Sequence, residues 1–161
     1  MTSDAPEPET AEPPPVTAEP PPVTEDIQVV GAVLCDDLER PTRFLAARRS
    51  YPPELAGLWQ FPGGKVDPGE SPEQALLREV VEELEVEARL GAQIVGPEPG
   101  GGWRTGPEHV MSVWWCVAAR GEPRALGSHD AVVWVGRGDA LALPWLPGDL
   151  PIVERVVAGL E

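Results

Sequence analysis

Between Phe61 and Ala88 the chain reads FPGGKVDPGESPEQALLREVVEELEVEA, and Glu70, Glu73, Glu79, Glu82, Glu83, Glu85 and Glu87 all fall within it. Glu79, Glu82 and Glu83 are three or four residues apart, so on a helix their carboxylates share one face. Like charges at that spacing repel, and acids near a helix C-terminus also oppose the helix dipole. Arg78 can pair with Glu82 one turn on, but it cannot offset them all. A hard divalent cation would turn this repulsion into binding, because Mg²⁺ takes oxygen ligands and is commonly held by a few carboxylates together with substrate phosphates. The competing reading is a solvated acidic face, the usual fate of a charge run.

The flanking residues predict the helix that must carry these acids. Ser71 is a good N-cap, Pro72 suits the first helical position, and Gln74 lies three residues after Ser71, completing a capping box. Ala75, Leu76, Val80 and Leu84 form an apolar stripe on a different face from the acids. Upstream, IQVVGAVLC (27–35) is a continuous apolar run, as a buried strand requires. TRFLAARR (42–49), HVMSVWWCVAA (109–119) and AVVWV (131–135) are further strand candidates. Ile152, Val153, Val156, Val157 and Leu160 give a closing helix its apolar face, with Pro151 near its start. The expected order is β, β, helix, β, β, β, helix, an α/β (α+β) arrangement with helices packed on a mixed sheet.

The spacing around the acids is itself informative. From Gly64 there are five residues to Glu70, seven more to Arg78-Glu79-Val80, one to Glu82-Glu83, and one to Glu85-Val86. This resembles the Nudix hydrolase signature at every defined position but one, where Glu85 stands in place of the family's glycine. The preceding WQFPGGK (59–65) looks like the MutT branch, which acts on nucleoside triphosphates. RSYPPELAGLW before the motif and WLPGDLPIV near the C-terminus extend the resemblance over residues 27–161.

The resemblance implies a Nudix α/β/α sandwich around a mixed central sheet, with a metal-binding loop–helix–loop. It implies Mg²⁺, with Mn²⁺ as substitute, held by Glu79, Glu82, Glu83 and the backbone carbonyl of Gly63, with Glu70 orienting the site. The implied reaction is attack of water on a nucleoside triphosphate, giving monophosphate and pyrophosphate. 8-oxo-dGTP is the favoured substrate, a role in nucleotide-pool sanitising and DNA repair, with CTP or dCTP close behind. Either Glu79 or Glu82 is the base that takes the water's proton. Arg78 anchors the neighbouring acids, and Arg49 and Lys65 are candidates for touching phosphate. Phe61 is a candidate for stacking on the base, and Asp149 matches the position that reads the base edge, although it could equally start the last helix. Asp130 is a candidate for a further carboxylate, with His129 beside it as an alternative. The family glycine lets the chain leave the helix with unusual dihedrals, so Glu85 is expected to cost some stability or shift the exit while activity survives. Two other readings share these residues: a Nudix hydrolase of ADP-ribose or dinucleoside polyphosphates, and a non-catalytic nucleotide-binding module.

Composition bounds the rest. The chain has 161 residues and a formal net charge of −15, which argues against binding duplex nucleic acid through a basic surface. Residues 1–26 hold eight prolines, seven acids and no base. Such sequence cannot bury enough apolar surface to offset its ordering entropy, so an extended acidic tail is expected ahead of a single domain at 27–161. Cys35 and Cys116 lie in apolar runs without metal-ligand spacing, as buried thiols would. No leader pattern and no run of about 18 apolar residues occurs, so the expected protein is cytoplasmic, without a membrane partner, and a monomer or homodimer.

Overall fold

The computed structural model describes residues 26–161. The tail expected over 1–26 lies outside the described residues except for Asp26, whose carboxylate pairs with Arg104 at 2.9 and 3.2 Å. Eight strands and two α-helices follow: β1 (Ile27–Leu34), β2 (Arg43–Arg49), β3 (Trp59–Gln60), β4 (Gly63–Lys65), α1 (Pro72–Leu84), β5 (Glu87–Ile94), β6 (Trp103–Arg104), β7 (His109–Arg120), β8 (His129–Gly136) and α2 (Leu150–Ala158). The three two- or three-residue strands are additions to the expected order. They are too short for any hydrophobic period to reveal them.

The expected mixed sheet is present, in the order β4-β1-β7-β5 with β6 on β7. Its parallel pair is β1 with β7; the other pairs are antiparallel. A smaller antiparallel sheet, β3-β2-β8, joins it through a bridge between Cys35 and Phe44. Alternation along the strands splits the core into two layers. Val30, Ala32 and Leu34 of β1 face Ala75, Leu76, Val80 and Leu84 of α1, together with Trp114 and Cys116. Val33 and Cys35 point the other way, toward Val113, Val117 and the buried face of α2, Ile152, Val153 and Val156. Each helix therefore covers its own side of the strands. Because Cys35 and Cys116 belong to opposite layers, these two buried thiols are apolar packing groups.

No helix among the described residues is long and apolar enough to cross a membrane. The segment from β4 to α1 matters most for the site. β4 pairs antiparallel with β1 (Gly31↔Gly63, Val29↔Lys65) and delivers the chain to the start of α1.

Candidate active site on the acidic helix

Helix α1 begins as its sequence dictates. Ser71 accepts the Gln74 N–H at 3.1 Å and Gln74 Oε1 accepts the Ser71 N–H at 2.9 Å, with Pro72 in the first turn. Ala75, Leu76, Val80 and Leu84 are fully buried. This fixes the helix rotation and turns Glu79 and Glu83 toward the glycines of β4, with Glu82 at the exposed edge. The helix ends at Glu85, which is left-handed (φ 62°, ψ 38°) and whose N–H caps the Val81 carbonyl at 3.0 Å. The chain thus leaves the helix through a left-handed residue, the conformation glycine adopts freely, held here by a residue with a Cβ. Arg124 lies 3.1 Å from the Glu85 carboxylate at the surface.

Arg78 organises the acids more widely than one helical pair. It clasps Glu70 with two hydrogen bonds of 2.8 and 2.9 Å. It also reaches Glu79 at 2.9 Å, Glu82 at 3.3 Å and the Lys65 carbonyl at 3.1 Å. The fork geometry of a guanidinium permits this; an ammonium could not do it. Arg78 and the Asp67 N–H hold the Glu70 carboxyl down at about 2. Arg78 thus pins Glu70 and Glu79 relative to one another.

Glu79 and Glu83 meet the glycine loop. The Glu79 carboxylate lies against Gly64, where an added Cβ would fall 2.3 Å from its Oε2. Glu83 Oε1 accepts the Gly63 N–H at 3.1 Å. A Cβ on Gly63 would lie 1.8 Å from the Val30 carbonyl oxygen, so β4 can approach β1 only with glycine there. Burial raises both acids, Glu83 to about 7. Glu82 is the exposed member, its side chain 56% accessible.

The donor chemistry fits a divalent cation: hard carboxylate oxygens, two of them on partly desolvated acids. Among the described residues, however, no three acidic, His or Cys side chains converge into a ready-made cage. That is the arrangement Mg²⁺ tolerates, since it keeps several waters and relies on substrate phosphates for ligands.

Beside the acids lies a cavity of about 540 Å³, walled by Arg49, Gln60, Phe61, Gly63, Met111 and Asp149 among others. Asp149 is buried, its Oδ2 accepts the Phe61 N–H at 3.1 Å, and desolvation lifts its carboxyl to about 7. Its carboxylate makes no cap to α2; only its carbonyl does, accepting the Ile152 and Val153 N–H groups. Arg49 lies in the same wall, its Nε donating to the Tyr51 carbonyl at 2.9 Å.

Three sequence expectations need correction. Phe61 is 1% exposed and packs against Phe44 and Trp145 at centroid distances of 5.8 and 5.4 Å, so its ring is core rather than a free stacking face, while its backbone N–H holds Asp149. Asp130 points away from the acids and pairs with Arg48 at 2.8 Å on the surface. Its neighbour His129 takes the inner position, buried, with Nδ1 3.8 Å from Glu83 Oε1. Alternation along β8 makes that choice, since adjacent residues face opposite ways. Lys65 has an exposed side chain outside the cavity wall, and only its carbonyl joins the site. Gly63, expected to contribute its backbone carbonyl, meets the acids through its N–H instead, donating to Glu83. Sequence reasoning missed Gln60, which links Arg49 to His129. Its only signal was its place in WQFPGGK, immediately before the glycine loop.

The family profile described as NUDIX domain matches residues 26–156. The CTP pyrophosphohydrolase of Escherichia coli K12 is 37% identical over 132 residues, covering 82% of this chain and 92% of that protein. A putative 8-oxo-dGTP diphosphatase 2 of Mycobacterium tuberculosis is 37% identical over 123 residues, covering 76% of this chain and 82% of that protein. Among solved structures, the MutT NUDIX hydrolase from Burkholderia pseudomallei superposes with a TM-score of 0.62 at 31% identity, covering 83% of this chain and 99% of the other.

Proposed function

The chain belongs to the NUDIX domain family and is a hydrolase of that family, and on that premise we propose that it cleaves nucleoside triphosphates to monophosphate and pyrophosphate, as a nucleotide-pool sanitising enzyme. The observation that carries this reading is the adjacency, through Gly63 and Gly64, of the acids of α1 to a cavity of about 540 Å³ whose wall includes the buried carboxyl of Asp149. A polyphosphate needs its charge met at one end, and a base needs a polar contact in a desolvated pocket at the other. The relatives named above act, by their names, on CTP and on 8-oxo-dGTP. Both are triphosphates whose base edges carry N–H donors, which suits an acceptor at Asp149.

In this reading Glu79, Glu82 and Glu83 hold Mg²⁺ or Mn²⁺. Bound metal supplies charge screening of the phosphates and a water of lowered pKa. The chain's own residues do the rest. Arg78 and Glu70 fix the acids before substrate arrives, so little reorganisation is needed at reaction. Glu79 or Glu82 takes the proton of the attacking water; Glu82, half exposed, is the one solvent can reach and relieve of it. Arg49 meets phosphate from the cavity wall.

The test is product analysis on a panel of CTP, dCTP, dGTP, 8-oxo-dGTP and ADP-ribose with Mg²⁺. Monophosphate and pyrophosphate from a triphosphate are expected. AMP and ribose phosphate from ADP-ribose as the preferred reaction would overturn the substrate class, and no turnover of any nucleotide would leave a binding module.

A further inference from the structure

One buried group near the acids has no partner. His129 Nδ1 is the only buried side-chain nitrogen or oxygen among the described residues that makes no hydrogen bond, and the side chain is fully inaccessible. Buried polar atoms are nearly always satisfied, so the exception calls for a cause. Two neighbours determine which ring nitrogen carries the proton. Gln60 has one end of its amide 3.5 Å from Arg49 Nη1 and the other 2.8 Å from His129 Nε2. A guanidinium can only donate, so the Gln60 oxygen faces Arg49 and its NH₂ faces the ring. The NH₂ then donates, and Nε2 must accept. The ring proton therefore sits on Nδ1, on the side of Glu83 Oε1, 3.8 Å away. The opposite tautomer would set an N–H against an NH₂ at one end and a lone pair against a carboxylate at the other. A ring whose Nε2 accepts carries a single proton and is neutral.

Glu83 Oε1 already accepts the Gly63 N–H at 3.1 Å, whereas Oε2 accepts no hydrogen bond from the described residues. We propose that His129 is a positioning residue for Glu83: Gln60 locks its ring with the proton on Nδ1, which is aimed at Oε1 so that Oε1 is held on the protein side and Oε2 is the oxygen presented to a cation. A movement of about 0.8 Å brings Nδ1 and Oε1 into hydrogen-bond range. The same chain of contacts, Arg49 to Gln60 to His129 to Glu83, connects the cavity wall to the acidic helix. The role rests on the family reading only for the presence of a cation.

The test has two arms. In the metal-free protein at pH 7, ¹⁵N NMR of His129 is expected to show a protonated Nδ1 and a bare Nε2; a protonated Nε2 overturns the proposal whatever the variants do. In the second arm, Mn²⁺ binding without nucleotide is followed by loss of the free-ion EPR signal. His129→Leu should weaken binding by roughly tenfold, the usual scale for losing a ligand's orienting partner. His129→Asn, which returns an N–H near the Nδ1 position, should recover most of that loss. Equal affinities in wild type and His129→Leu would overturn this proposal alone. A wild-type protein that binds no Mn²⁺ would overturn the metal site itself together with it.

Discussion

Gly63 and Glu83, twenty residues apart, are joined by a hydrogen bond of 3.1 Å that ties the loop before α1 to its last turn. The contact needs glycine at one end, because β4 lies too close to the Val30 carbonyl for any Cβ, and an acceptor at the other. The two demands separate by mutation. Glu83→Gln keeps the Oε1 acceptor and loses the charge, so it should fold as wild type while kcat falls at least ~10²-fold. Glu83→Ala strands the Gly63 N–H and should in addition lose about 1–3 kcal/mol of stability. Denaturant unfolding and steady-state kinetics on both variants check this, and equal stability in the two would contradict it.

Glu82→Gln makes a cleaner case for chemistry without structure. Glu82 is exposed and its one contact, with Arg78, is a surface pair worth under about 1 kcal/mol. Turnover should fall by at least ~10² while Tm moves by no more than a few degrees. Full activity in this variant would remove Glu82 from the metal-binding and base roles.

Arg78→Lys tests the anchor. The guanidinium clasps Glu70 through two nitrogens and reaches Glu79 as well. A lysine can satisfy one of these at a time. The expected result is a loss of about 1–2 kcal/mol in stability and a tenfold or larger drop in kcat with little change in KM, since the acids would be misplaced rather than the substrate.

Glu85→Gly should stabilise the protein. A non-glycine residue in the left-handed region costs about 1–2 kcal/mol, and glycine removes most of it while losing a weak surface pair with Arg124. A net gain of about 0.5–1 kcal/mol with unchanged kcat is expected from chemical denaturation, and a destabilised variant would show that the exit is not strained.

The helix and its acids were legible in the sequence because everything that fixes them is local. Ser71, Pro72 and Gln74 set the start, and the Ala75–Leu76–Val80–Leu84 stripe sets the rotation. β1, β2, β7 and β8 were legible for the same reason, whereas β5 (Glu87–Ile94), whose apolar residues are sparse, was expected only as a place in the order. What the sequence hid is long-range. Nothing near Phe61 says that its ring belongs to a trio with Phe44 and Trp145. Likewise, the choice between His129 and Asp130 depends on the register of β8 against β2, where a bulge falls between Arg48 and Arg49. Gln60 acquires its role only when β3 pairs with β2 and brings it beside both Arg49 and His129.

Asp149 should leave its mark on pH dependence. Its carboxyl is raised from the ordinary 3.8 to about 7 by burial, opposed only by the Phe61 N–H. For a raised acid, the folded protein keeps a proton that the unfolded chain has already released. Stability from this group is therefore fully present below pH 3.8 and lost as pH rises through about 7. Asp149→Asn retains an acceptor for the Phe61 N–H and has nothing to ionise. It should be more stable than wild type at pH 8, by up to a few kcal/mol, and show a flatter stability profile between pH 4 and 7. At pH 8, where the carboxyl is ionised, the same substitution should change the ratio of kcat/KM between CTP and 8-oxo-dGTP by tenfold or more, because an amide offers a donor where the carboxylate offers only acceptors. Urea unfolding from pH 4 to pH 8 reads the first effect and competition kinetics reads the second. A variant that keeps the wild-type pH slope shows that Asp149 ionises freely in the fold, and one that keeps the wild-type substrate ratio places base recognition elsewhere in the cavity.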